Sequence, residues 1–199
     1  MSSEILFRHF SFCSFTELAD EAPFPSLQAM ESYCAETFSS VIYLAIAIVS
    51  KEMHLTSVPD AAKEAARHAG TALGLLNLTR GLPYHIYRHH VFLPDDVMSA
   101  CGVSKTELLR WNHRKNPEGL ARCVRTIVDR ANEQVILSRQ LCSSIRPRRL
   151  RRALLPCSVA GYYLKKFERF ENDVFDARLG LRDGRLPFIL LKNTVLNRY

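Results

Sequence analysis

The chain has 199 residues, of which 47% are hydrophobic and 24% are charged. This composition allows one substantial hydrophobic core and excludes an intrinsically disordered chain. The formal net charge of +7 and the pI near 9.3 favour an anionic partner, which is a nucleic acid, an acidic membrane surface or an acidic protein.

The six cysteines are widely spaced, and no C-x-x-C motif occurs. This pattern argues against a zinc ribbon and against a dense disulfide framework. It indicates buried thiols in a reducing compartment.

Residues 1–24 are predicted to form an irregular N-terminal segment that precedes a helical domain over residues 25–199. The segment is rich in hydroxyl and aromatic side chains and carries Arg8, as a mitochondrial presequence would. It also contains acidic residues such as Glu4 and Glu17, which transit peptides avoid. The targeting signal is therefore weak.

Helical periodicity begins at Leu27 and predicts a long, largely buried helix to His54. Its apolar run Val41–Val49 falls short of the roughly 20 residues that span a bilayer. A second helix is predicted from Asp60, as N-cap, to Arg80, with small residues that let a neighbouring helix approach closely. Gly81 and Pro83 should break this helix, and a loop or short extension should follow from Tyr84 to Pro94.

Four further helices are predicted in the rest of the chain, and the basic segment Arg146–Arg152 should begin an additional short helix. Asp95 can cap a short helix to Ala100, and Ser104 with Glu107 forms a capping box for a helix that ends near Asn112. Asn116 and Pro117 precede the clearest amphipathic helix, which reaches Leu141, and Pro156 begins one that reaches Glu171. The 3.6-residue period of the amphipathic helix that reaches Leu141 is carried by Leu120, Cys123, Val124, Ile127, Val128, Ala131 and Val135. Because no strand pattern is convincing, the sequence predicts an all-α fold.

Two groups of residues raise the question of a metal site. His85 and His89 are four apart with His90 adjacent, but Pro83 makes a regular helix uncertain, and the segment lacks acidic ligands. Asp173 and Asp176 fit a helix end at least as well as a metal site. We predict no metal, no cofactor and no catalytic residue, since no nucleophile, Walker or dinucleotide motif occurs.

An arginine cluster is the strongest electrostatic feature of the chain. Its members are Arg146, Arg148, Arg149, Arg151 and Arg152. Guanidinium groups at this density bind phosphates and carboxylates readily, although a solvated helix start is an equal alternative. The neighbouring Leu150, Leu154 and Leu155 are expected to add shallow apolar contact with an anionic membrane.

Residues 75–94 carry a resemblance to a known family. Leu75, Asn77, Arg80, Leu93 and Pro94 match a segment that reads approximately L-x-N-x-x-R-D-x-x-x-D-x-x-x-G-R-x-Y-L-P, with Phe92 in the aromatic position. This segment resembles the squalene/phytoene synthase superfamily, whose two aspartates hold the Mg²⁺ ions that draw away a diphosphate. Gly81 and His85 occupy the aspartate positions. Glycine offers no ligand and imidazole suits other metals, so the resemblance implies a pseudoenzyme with degenerate positions Asn77, Arg80, Gly81 and His85.

More residues resemble the non-catalytic mitochondrial branch of this superfamily. They are Tyr33-Cys34, Leu82–His85, Val91–Pro94, Phe170–Asp176 and Leu186-Pro187. The resemblance implies an isoprenoid-synthase-like helical bundle that lacks the N-terminal helices of the full fold. It also implies a role in assembling respiratory complex I, peripheral to the mitochondrial inner membrane, with complex I subunits or other assembly factors as partners and no nucleic acid. The alternatives are an active prenyl-diphosphate-using synthase and a basic nucleic-acid-binding protein.

Overall fold

A computed structural model describes residues 24–110, 118–181 and 183–196. Over these ranges the regular structure is entirely helical, which confirms the predicted all-α class. The helices are α1 (Leu27–Glu52), α2 (Asp60–Arg80), α3 (Leu82–Tyr87), α4 (Asp95–Ala100), α5 (Lys105–Arg110), α6 (Glu118–Cys142), a 3₁₀ helix (Arg148–Leu154), α7 (Leu155–Arg169), α8 (Ala177–Gly180) and α9 (Leu186–Leu196).

Helix α2 lies at the centre, packed between α1 and α6, with α7 against it as well. Its buried face is built from small residues, which allow close helix approach. A Cβ atom at Gly70 would lie 2.6 Å from the Cα atom of Ser39, and one at Gly74 would lie 2.7 Å from the Cβ atom of Cys34. The close approach of α1 and α2 therefore depends on these two glycines.

Helix α6 buries the apolar face that its periodicity predicts. Its buried residues include Leu120, Cys123, Val124, Ile127, Val128, Ala131 and Val135. Two polar side chains share that face: Ser138 donates a hydrogen bond to the Ala65 carbonyl (2.8 Å), and Gln134 contacts His68. These bonds satisfy polar groups that would otherwise be costly to bury.

Helix α1 is only half buried, so the prediction of a largely buried helix was wrong. Ile42 and Ile46 lie in the core, whereas Val41, Leu44 and Ile48 on the opposite face are 63%, 49% and 53% exposed. By length and composition α1 reaches the minimum for a membrane-spanning helix, a test that core helices also pass.

Two predicted N-caps, Asp60 and Asp95, were wrong, because each aspartate is the first helical residue and a proline precedes it as N-cap. The side chain of Asp60 instead pairs with Lys63 (2.9 Å). In α4 it is Asp96 whose carboxylate accepts the backbone N–H of Leu27 (3.0 Å), which ties the start of α1 to α4.

Helix α2 does end at Arg80 as predicted, but the segment after it, predicted as a loop or short extension, begins with the short helix α3. Gly81 has α-helical backbone angles and joins α2 to α3, and Pro83 lies in the first turn of α3, where a missing N–H costs nothing. The short helices α8 and α9 were not predicted. The Asn116-Pro117 start and the Asn112 end lie outside the described residues, as does the segment 1–23.

Candidate functional site

The four degenerate positions lie where α2 ends and α3 begins. Arg80 donates one hydrogen bond to the Asn77 side-chain oxygen (3.0 Å) and another to the Tyr163 hydroxyl on α7 (2.5 Å). Its guanidinium carbon also lies 4.5 Å from the centre of the Tyr163 ring, within range of a cation–π contact. Arg80 therefore ties the end of α2 to α7.

Gly81 and His85 face each other across one turn. The backbone N–H of His85 donates to the Gly81 carbonyl (3.1 Å), and a Cβ atom at Gly81 would lie 3.0 Å from the His85 Nε2 atom. The His85 ring meets the Phe92 ring edge-on, with centroids 4.5 Å apart. Burial, and secondarily the neighbouring His90, lower the pKa of His85 below its ordinary value of 6.5, so the imidazole is neutral at pH 7.

These side chains provide an amide, a guanidinium and a neutral imidazole, and no carboxylate. Among the described residues, no group of three or more His, Cys, Asp or Glu side chains is placed to hold a metal ion. His85, His89 and His90, which are all described, form no such group. Two cavities in the described chain, of about 330 and 220 Å³, are lined by other residues.

Asp173 and Asp176 have structural roles in the turn after α7. Asp173 accepts the backbone N–H of Phe175 (2.9 Å), and Asp176 caps α8 by accepting the N–H of Arg178 (2.8 Å). Asp176 also pairs with the Arg178 guanidinium, which holds the pKa of this carboxyl below its usual range. The structure supports the helix-end interpretation.

The arginine cluster divides into two parts. Arg146 and Arg151 donate to the carbonyls of Ser143 and Ile145 just after α6, at 2.8–3.3 Å. Positive charge at a helix C-terminus is favourable, so these two arginines stabilise the end of α6. Arg148, Arg149 and Arg152 are exposed.

The leucines beside the arginine cluster do not fit the expected membrane contact. Leu150 and Leu154 are fully buried and form part of the core under the 3₁₀ helix. Leu155 is half-buried. The expectation of apolar contact from Leu150 and Leu154 was wrong, and the surface of this segment is basic rather than amphipathic.

A polar network that the sequence did not reveal connects α1, α2 and α6. Arg130 pairs with Glu31 (2.5 Å) and with Glu133 (2.6 Å), and Gln134 bonds both Glu31 (3.3 Å) and His68 (2.6 Å). The bond to Glu31 is the main reason that the pKa of Arg130 is raised. The network borders the cavity of about 220 Å³, and in it one guanidinium is paired with two carboxylates. Only Gln134, a polar residue on the apolar stripe of α6, could have signalled the network from the sequence.

The architecture and the end of α2 define the class of protein: an all-α helical bundle with a carboxylate-free segment where α2 meets α3. The profile of the squalene/phytoene synthase family matches residues 11–185. The chain belongs to the squalene/phytoene synthase family, as the resemblance implied. No solved structure matches it significantly.

Similar curated proteins give finer detail. The chain is 32% identical over 181 residues to the NADH dehydrogenase (ubiquinone) complex I, assembly factor 6, of Mus musculus, covering 90% of this chain and 51% of that protein. It is 30% identical over 172 residues to the protein of the same name from Homo sapiens, covering 86% and 48%. The Drosophila melanogaster homolog is 28% identical over 177 residues, covering 88% and 50%. The chain thus spans about half the length of these relatives.

Proposed function

We propose that this chain is a non-catalytic factor that assists assembly of mitochondrial respiratory complex I, with complex I subunits or other assembly factors as partners. One observation carries the proposal: mammalian and insect relatives that bear the name complex I assembly factor 6 match between 86% and 90% of the chain. The match is not limited to one motif or one helix.

The chain is further proposed to be a pseudoenzyme. The side chains at the end of α2 support this, because Mg²⁺ prefers oxygen ligands, and Gly81 and the neutral imidazole of His85 supply none. The guanidinium of Arg80 is engaged by Tyr163 and Asn77 rather than directed at a separate ligand.

The proposed location is mitochondrial, peripheral to the inner membrane. The exposed guanidinium groups of Arg148, Arg149 and Arg152 support an attraction to an anionic surface. Each basic residue near such a surface contributes about 1 kcal/mol at low salt.

We expect the tagged chain to co-purify with complex I subunits or other assembly factors from mitochondria of expressing human cells. The measurement is affinity purification followed by mass spectrometry, because a scaffold acts through stable contacts. A mitochondrial protein of unrelated fold with the same tag is the control bait for nonspecific binding. Equal recoveries with both baits, or no complex I protein with the wild type, would contradict the proposal.

A second expected result is the absence of synthase activity. Purified protein incubated with Mg²⁺ and farnesyl or geranylgeranyl diphosphate should release no pyrophosphate above the level without protein, since positions 81 and 85 provide no carboxylate. An active squalene synthase serves as the positive control. Pyrophosphate release with a condensed C30 or C40 product would establish the alternative, an active prenyl-diphosphate-using enzyme.

A further inference from the structure

Helix α9 presents large apolar side chains to solvent. Phe188, Leu191 and Val195 are 72%, 62% and 75% exposed, and none of the residues of α9 is buried. The three positions follow the spacing i, i+3, i+7, so they form one stripe along the helix.

The opposite side of α9 attaches the helix to the bundle. Asn193 donates a hydrogen bond to the Ser158 hydroxyl on α7 (3.0 Å), and Ile189 and Leu190 are half-buried. This attachment fixes which side of α9 faces outward. The exposed stripe is therefore a defined surface of the bundle.

Two basic residues lie beside this stripe. Lys192 is exposed and lies four residues after Phe188, on the same side of the helix, and Arg185 is exposed just before α9. Over the described residues from 177 to 196, the basic side chains are Arg178, which is paired with Asp176, and Arg185 and Lys192, and the acidic one is Asp183. The carboxylate of Asp183 accepts a hydrogen bond from the Tyr162 hydroxyl (2.5 Å), and this bond keeps its pKa below the usual range. The charge around α9 is complementary to an anionic surface.

We propose that α9 is a membrane-docking helix that lies in the plane of an anionic phospholipid surface, with Phe188, Leu191 and Val195 inserted among the acyl chains. Exposed apolar side chains with Lys and Arg beside them favour binding at an anionic membrane interface, because apolar burial and attraction to anionic lipids add to one another. Eleven residues are far fewer than the roughly 20 needed to span a bilayer, so the helix lies on the membrane rather than across it. This inference rests on the peripheral location proposed above, and it names the element that makes the contact.

The test is co-sedimentation of the full chain with vesicles of phosphatidylcholine alone and of phosphatidylcholine with cardiolipin. The triple variant Phe188→Ser, Leu191→Ser, Val195→Ser should bind the cardiolipin vesicles at least about tenfold more weakly than the wild type. A matched control places three serines on the exposed face of α1, at Val41, Leu44 and Ile48. This control should bind like the wild type, and added salt should weaken wild-type binding.

Each outcome of this test decides the inference. Equal binding by the α9 variant and the wild type overturns it, as does an equal loss in the α1 control. If the α9 variant binds vesicles normally but loses co-purifying proteins, the stripe is a protein-docking surface and the inference also fails.

A third variant separates this inference from the peripheral location itself. It replaces the exposed Arg148, Arg149 and Arg152 by glutamine. If only this variant loses binding, the peripheral location stands and α9 is not the docking element. If the wild type does not bind cardiolipin vesicles, both the peripheral location and the docking role of α9 fail.

Discussion

Replacing Ile127 with aspartate is expected to lower the free energy of unfolding by at least about 4 kcal/mol, through lost apolar burial and an unpaired buried charge. Ile127 is fully buried on the face of α6 that packs against α2. Domains of this size have a total stability of about 5–15 kcal/mol, so the variant should be largely unfolded or insoluble. Soluble yield and thermal unfolding followed by circular dichroism measure the effect.

Thr126 provides the matched control, because it directly precedes Ile127 on the same helix and is exposed. Thr126→Asp introduces the same charge in water and should change stability by no more than about 0.5 kcal/mol. If Ile127→Asp melts like the wild type, or if both variants are equally destabilised, the register assigned to α6 is wrong.

The helices that pack one apolar face against the core were predictable from sequence. In α6 the apolar residues recur every 3.6 positions and polar residues fill the other side, so the pattern identifies both the helix and its buried face. Helix α9 lacks this contrast: Phe188, Ile189, Leu190 and Leu191 are consecutive and point in every direction. With no period to detect, neither the helix nor its exposed side could be predicted.

The same reasoning explains the error in α1. Its run Val41–Val49 is apolar on all sides, so composition predicts burial all round. Which side is covered depends on the positions of α2 and the 3₁₀ helix, and these contacts are tertiary. The sequence therefore predicts the helix but not its exposed face.

The candidate site was likewise predictable only in part. A local motif was enough to single out Asn77, Arg80, Gly81 and His85. The partner of Arg80 is Tyr163, which lies 83 residues further along the chain, and no local pattern links the two. The hydrogen bonds of Arg146 and Arg151 were missed for another reason: they satisfy the carbonyls of Ser143 and Ile145 just after α6, a geometry that a count of charges does not contain.

Replacing Gly70 with alanine is expected to destabilise the protein, although alanine is the better helix former. The gain in helix propensity is about 1 kcal/mol. Against it, the new methyl group would lie 2.6 Å from both the Cα and the backbone N atom of Ser39, so α1 and α2 must move apart. Overpacking of this kind costs about 3 kcal/mol, which leaves a net loss of about 2 kcal/mol. For a chain of this length, the midpoint of thermal unfolding should fall by roughly 4–8 °C.

Gly180→Ala is the matched control for this prediction, because a Cβ atom there would meet nothing within 4 Å. It should leave the midpoint unchanged or raise it slightly. A second variant, Ser39→Gly combined with Gly70→Ala, removes the hydroxymethyl group of residue 39 but keeps its Cα and N atoms, so it should not restore stability. If Gly70→Ala alone melts at or above the wild-type temperature, the α1–α2 packing is looser than the described geometry. Recovery in the double variant would instead place the conflict in the Ser39 side chain rather than in the backbone.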